Sequence, residues 1–291
     1  MSASILVPTD GSPESERALD VAVPLARALS LSIVLFWSWE GLGEMPSGTS
    51  PKAVAQIETE EMADRTAAVS EIAERRLSPL RLLFETKIGR GPAAAAILAQ
   101  AELQEPRFIV LSTHGRSGFK RWRLGSVADR LVRESAHDTV IVTPNAEVSL
   151  NPEIGRILVA LDGSEQAEHA LDTALTLARA SGATLHLLRA TALTVPAAPL
   201  GAEIPYGQLT EDLVEAASLY LSRLVALIPD VPASTEAPLA PAGQAILDAA
   251  AGADLVMMTP HARSGIARTV LGSTTDAVLR GCAKPVLVVR A

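Results

Sequence analysis

Aromatic residues are scarce: four Phe, three Trp and two Tyr make up 3% of 291 residues. A core short of rings must be filled by Ala, Val, Leu and Ile, which suits Ala-faced helices lying close on β-branched strands. Cysteine is nearly absent. A single thiol, Cys282, excludes an intrachain disulfide, and no Cys/His set has zinc spacing. A reducing cytoplasm fits. No run of 18 apolar residues occurs, and Met1-Ser2-Ala3-Ser4-Ile5 lacks the charged and apolar regions of a secretory leader, so no membrane partner is expected. A basic surplus is missing too. Lys and Arg number 25 against 33 Asp and Glu, a net charge of −8. Residues 1–145 carry 16 against 18, the rest 9 against 15. Neither half has the electrostatic footprint of a nucleic-acid binder. Two catalytic signatures are also lacking: there is no Gly-x-x-x-x-Gly-Lys-Ser/Thr phosphate loop and no Gly-x-Ser-x-Gly nucleophile elbow.

What is present is a sequence written twice. Ile5-Leu-Val-Pro-Thr-Asp-Gly-Ser12 returns as Ile157-Leu-Val-Ala-Leu-Asp-Gly-Ser164, an offset of 152. His114-x-Arg116-Ser-Gly118 returns as His261-x-Arg263-Ser-Gly265, and Leu124-Gly-Ser126 as Leu271-Gly-Ser273, both at 147. Order is kept while the offset drifts, as loop insertions produce. We read two domains, 1–145 and 153–291, joined by a linker at Thr143–Pro152 rich in Pro, Asn and Ser.

Each copy alternates short apolar strands with helices, which implies a parallel sheet covered on both faces. In the first copy the expected strands are Ile5–Pro8, Ser32–Trp37, Arg81–Ile88, Phe108–Ser112 and Thr139–Val142. Ser12 is placed to cap a helix opened by Pro13, Glu14 and Glu16. Ligands of such sheets bind beyond the carboxyl ends of the strands, at a topological switch point. There the sequence reads Ser112-Thr-His-Gly115, nine residues, then Gly125-Ser126. Gly115 permits a sharp bend, and a helix starting at Ser126 offers orphan N–H donors to phosphate oxygens. The intervening loop holds Arg116, Lys120, Arg121 and Arg123. Asp10 follows the first strand, where a carboxylate can accept from an adenine amino group or a ribose hydroxyl; Ser38, just past the second, borders the same region. Alone, Asp10-Gly11 is a turn, Gly125-Ser126 a helix cap, His114 a structural histidine and the basic loop a solvated surface. Together, and repeated, they read as a nucleotide site. Gly89-x-Gly91-x-x-Ala94 mimics a dinucleotide fingerprint but follows the third strand and becomes Pro238-x-Ala240-x-x-Gly243 in the second copy, so it is read as a turn before a helix.

Val7-Pro-Thr-Asp-Gly-Ser12, the Ser-Thr-His-Gly plus nine plus Gly-Ser pattern, and the closing Pro285-Val-Leu-Val-Val289 resemble the universal stress protein family, over essentially the whole chain. The resemblance implies two tandem five-stranded parallel-sheet domains, Rossmann-like and of the adenine nucleotide α-hydrolase-like type. It implies an adenine-nucleotide-binding regulatory protein whose cofactor is ATP, with Mg²⁺ held by phosphates and water. Pro8, Thr9 and Asp10 would face adenine and ribose; Ser112, Gly115, Gly125, Ser126 and Val127 would hold phosphates. Ser112 departs from the Gly usual there. The second copy departs further, with Thr259-Pro-His-Ala262 before Gly272-Ser273, leaving Asp162, Gly272, Ser273 and Thr274 as candidates for a weaker site. No catalytic residue and no protein metal ligand are assigned. A slow ATP hydrolase with His114 as its base, or an assembly module with incidental nucleotide, are the alternatives; the recurrence of His114 as His261 favours a structural role. In the family the last strand makes dimers, so the two halves are expected to pair as an internal pseudo-dimer, with a homodimer left open.

Overall fold

The computed structural model describes residues 3–42, 50–113, 124–148, 153–192, 206–260 and 271–290. The chain divides into two compact units, one running through Pro152 and the other starting at Glu153.

In the first unit the order is β1 (Ser4–Thr9), α1 (Pro13–Leu29), β2 (Ser32–Trp39), α2 (Pro51–Arg76), β3 (Phe84–Arg90), α3 (Ala93–Gln104), β4 (Phe108–Ser112), α4 (Ser126–Glu134) and β5 (Asp138–Val142). The strands lie β3-β2-β1-β4-β5, all parallel. The chain therefore works outward from β1 in one direction and then crosses back to β4. The switch point falls between β1 and β4.

The second unit repeats this plan. It runs β6 (Arg156–Ala160), α5 (Glu165–Ser181), β7 (Thr184–Leu188), α6 (Tyr206–Ala226), β8 (Ala233–Glu236), α7 (Ala242–Ala250), β9 (Leu255–Met258), α8 (Ser273–Gly281) and β10 (Val286–Val288). Its strands lie β8-β7-β6-β9-β10, again parallel.

The shortage of aromatics is met by close backbone approach. Ala18, Ala22 and Ala26 form an i, i+4 stripe on α1, each at 0% exposure, and α1 packs on β1 and β4. The same stripe recurs on α5 as Ala170, Ala174 and Ala178. A methyl face lets helix and sheet approach until Leu19, Leu25, Ile5 and Ile109 are fully enclosed. Each such aliphatic side chain contributes roughly 1.5–3 kcal/mol on burial.

Local signals set the helix ends. Ser12 sits at the N-cap of α1, its hydroxyl accepting from Ser15 N at 3.1 Å, with Pro13 opening the helix. Ser164 does the same for α5, accepting from Ala167 N at 3.2 Å.

Two expectations need correction. β2 runs to Trp39, so Ser38 lies inside the strand, in register with Gly89, because the ladder to β3 continues to Trp39↔Arg90. β3 begins at Phe84, not Arg81. A 3-10 turn over Ser78–Leu80 closes on Arg81 in the left-handed region at φ 54°, which holds that residue out of the strand. The first residues of the linker are held by hydrogen bonds. Arg17 on α1 donates to the carbonyls of Thr143 (3.2 Å), Pro144 (2.7 Å) and Ala146 (2.5 Å), and Thr143 and Ala146 are buried.

Candidate functional site

The turn after β1 is a closed hydrogen-bond cycle. Asp10 Oδ1 accepts from Ser12 N at 3.0 Å and from Ser12 Oγ at 2.5 Å. The Thr9 hydroxyl meets Ser15 Oγ at 2.8 Å and accepts from Gly11 N at 3.1 Å, while Ser15 Oγ donates to Ser12 O at 2.8 Å. Thr9 is buried, so its hydroxyl serves the turn. Gly11 has φ +76°, and a Cβ there would stand 2.4 Å from the Trp37 ring. Glycine is needed twice over, for the left-handed backbone and for the indole beneath it.

Pro8 acts through what it lacks. With no N–H it cannot donate to a ladder, which is rare on an inner strand. β1 pairs with β4 at Ile5↔Phe108 and Leu6↔Ile109. In the second unit Ala160 occupies the corresponding position, and the equivalent ladder extends one pair further, to Val159↔Met257. The first unit therefore releases its two central strands earlier, at the switch point where the ligand crevice of such a sheet opens.

Across that point stands the start of α4. Gly125 is the N-cap, at φ −55° and ψ 150°, and among the described residues no side chain caps the helix. Its glycine requirement is steric: a Cβ would lie 2.4 Å from the Thr113 carbonyl oxygen. Gly125 O accepts from Asp129 N at 2.8 Å, while the first N–H groups, from Ser126 and Val127 onward, belong to the turn that has no intrahelical acceptors. Ser126 is exposed and Ser112 partly so. β1 and β4 are sheet neighbours, about 4.8 Å apart where they pair, so the Asp10 turn and the carboxyl end of β4 open on the same edge of the sheet. The structure thus gathers Pro8, Thr9, Asp10, Ser112, Gly125, Ser126 and Val127 on one sheet edge, with Ser38 one strand beyond. His114, Gly115 and Arg116 lie outside the described residues, as do Lys120, Arg121, Arg123, His261, Ala262 and Arg263.

In the second unit Asp162 Oδ1 accepts from Ser164 N at 2.9 Å and Ser164 Oγ at 2.6 Å, copying the first turn. Gly163 has φ +89°. Gly272 is the N-cap of α8, again with no side-chain cap among the described residues, followed by Ser273 and Thr274.

Sequence reasoning missed two features. The residue beneath the Asp-Gly turn is Trp37 in one unit and Arg189 in the other, where the guanidinium lies 2.8 Å from a Cβ built on Gly163. The 152-residue offset pairs these positions, so the signal was available. The second is His186, buried on β7, with Nδ1 2.9 Å from Ser234 Oγ and Nε2 2.9 Å from Glu236 Oε2. Both partners lie on one face of β8, two residues apart, so the ring pins adjacent strands. The corresponding β3 pair in the first unit is Glu85 and Lys87, bridged at 3.3 Å.

An open groove of about 600 Å³ along α2, lined by residues that include Met62, Ala63, Thr66 and Arg90, includes none of the candidate residues. Among the described residues no helix is long and apolar enough to cross a membrane.

Comparison with known proteins agrees with the duplicated plan. A family model described as the universal stress protein family matches residues 1–143 and 153–290. A universal stress protein of Mycobacterium tuberculosis is 29% identical over 223 residues, covering 75% of this chain and 71% of that protein. One from Mycolicibacterium smegmatis is 23% identical over 301 residues, covering 98% and 96%. Among solved structures, a universal stress protein from Archaeoglobus fulgidus superposes with a TM-score of 0.72 at 21% identity, covering 100% of this chain and 99% of its own. A Pseudomonas aeruginosa protein described as a putative universal stress protein gives 0.66 at 18%, covering 99% and 93%.

Proposed function

Because the chain belongs to the universal stress protein family, we propose that its first unit binds ATP and reports nucleotide occupancy, as a regulatory module and not as a catalyst of turnover. The observation that carries this is the cradle at Gly125. The helix start is drawn so close to the Thr113 carbonyl that no side chain fits, and among the described residues no side chain caps its N–H groups. Backbone donors left open at a helix start suit phosphate oxygens.

Ser112, Gly125, Ser126 and Val127 would hold the phosphates, joined by Gly115, Arg116 and His114. Pro8, Asp10 and Ser38 would border base and ribose. Thr9 would contribute through its backbone, since its hydroxyl is engaged within the turn. Bound nucleotide would bring Mg²⁺ on its phosphates.

The test is mass spectrometry of nucleotide released from the purified protein, with stoichiometry, on wild type and Gly125→Val. One equivalent of adenine nucleotide per chain, lost in the variant, is expected. Failure of the wild type to take up ATP at saturating concentration would refute the reading, as would equal uptake by a folded variant.

A further inference from the structure

The two units present different chemistry beneath their shared Asp-Gly-Ser turn. In the first, Gly11 rests on the Trp37 ring; in the second, Gly163 rests on the Arg189 guanidinium, with Cζ and Nη2 both 2.8 Å and Nη1 3.1 Å from the Cβ position. These near-equal distances mean that the guanidinium lies flat against the turn. It also lies over the Tyr220 ring, 4.7 Å from its centroid, and Tyr220 is itself fixed by donating to Glu168 Oε1 at 3.0 Å. Arg189 is therefore a donor fork held in a set orientation. Among the described residues that fork has no hydrogen-bond acceptor and no ion-pair partner.

Its place in the sheet is informative. Arg189 immediately follows β7, the position that in the first unit adjoins Ser38 and the base end of the proposed site. Asp162 stands one residue from Gly163, and Glu168 lies behind Tyr220. Two carboxylates offset the one cation, so the cluster does not form a sink for a free anion. It suits a neutral ligand edge with two acceptors.

A guanidinium pairs bidentately with O6 and N7 of guanine, whereas adenine sets its amino group donor-to-donor against Arg at that edge. We propose that the second unit takes a guanine nucleotide, with Arg189 reading the 6-oxopurine edge. The two units then hold different purines. This rests on the reading that ligands enter each unit at the carboxyl edge of its sheet.

The test is equilibrium dialysis of labelled GMP against the full chain in saturating ATP. One saturable equivalent of GMP per chain, not displaced by ATP, is expected. Arg189→Gln and Arg189→Trp, the latter copying the first unit, should each weaken GMP by about 10- to 100-fold, the range set by loss of one bidentate base contact. Circular dichroism of both variants verifies folding. The proposal is overturned by the absence of saturable GMP binding up to about 1 mM, by displacement with ATP, or by unchanged affinity in folded Arg189 variants. Equal competition by inorganic phosphate overturns it as well, since that marks a simple oxyanion site. ATP binding without GMP binding would sink this proposal alone; GMP binding without ATP binding would sink the adenine reading of the first unit alone.

Discussion

Replacing Gly125 by Ala adds one methyl group at the tightest contact with backbone among the described glycines of the first unit. The new carbon would stand 2.4 Å from the Thr113 carbonyl oxygen, where ordinary contact begins at 3.4 Å. The backbone must therefore yield by about 1 Å, far up the repulsive wall of the contact potential. Thr113 resists the move because its N–H is bonded to Val142 O at 3.1 Å, in the plane of the sheet. Among the described residues no such bond ties the start of α4 to the sheet edge, so it is the part expected to shift. Overpacking of this kind costs about 1–3 kcal/mol. In a unit of this size each kcal/mol lowers the melting temperature by about 2–4 °C. A 1 Å displacement of the Ser126 and Val127 N–H groups would also lengthen their bonds to phosphate. Such charge-assisted bonds contribute about 1.5–3 kcal/mol each, so ATP affinity should fall by roughly 10- to 100-fold.

Differential scanning calorimetry reads the first effect and isothermal titration with ATP the second. Gly207→Ala is the control. Gly207 lies in α6 with nothing within 4 Å of its Cβ position, and alanine there should leave ATP affinity unchanged and stabilise by at most about 1 kcal/mol. A Gly125→Ala protein with the wild-type midpoint and wild-type ATP affinity would refute the steric reasoning.

Further expectations concern other parts of the molecule. Burial, followed by the hydrogen bond to Glu168, raises the Tyr220 phenol above its ordinary value. Since the folded chain then keeps a proton that the unfolded chain loses, this contribution to stability is complete below about pH 10 and declines as pH rises beyond it. Ultraviolet titration should show Tyr220 ionising above the ordinary value of a free phenol. Arg17→Ala releases three carbonyls of residues 143–146, so cleavage after Glu147 by a Glu-specific protease should quicken by about 10-fold, the equivalent of one charge-assisted bond; an unchanged rate would show that these bonds do not hold the segment. Cys282 is buried, and that burial pushes its thiol up. A disulfide reagent should therefore label it only with unfolding, and rapid labelling of the native protein would contradict the packing.

Much of this protein was legible in its residues. The 152-residue echo of Ile-Leu-Val…Asp-Gly-Ser announced two copies. Ser12, Pro13 and the alanine-rich helices announced alternating strands and helices, because caps and periodicity act within a few residues of chain. Gly125 and Ser126 were placed at a helix start for the same local reason. Other features needed the fold, since they arise between residues distant in sequence. Trp37 beneath Gly11 and Arg189 beneath Gly163 come from strand register, and Gly125 is required by the carbonyl of a residue twelve positions earlier. Ser38 sits inside β2 because its ladder partner Gly89 continues the strand, and the start of the linker is held by an arginine 126 residues away in sequence. The duplicated α/β plan and the kinds of residue at each strand end follow from the residues alone, because they depend on short-range propensity and repetition. Which of those residues face one another is set by the packing of whole elements, because contact and desolvation arise between segments distant in sequence.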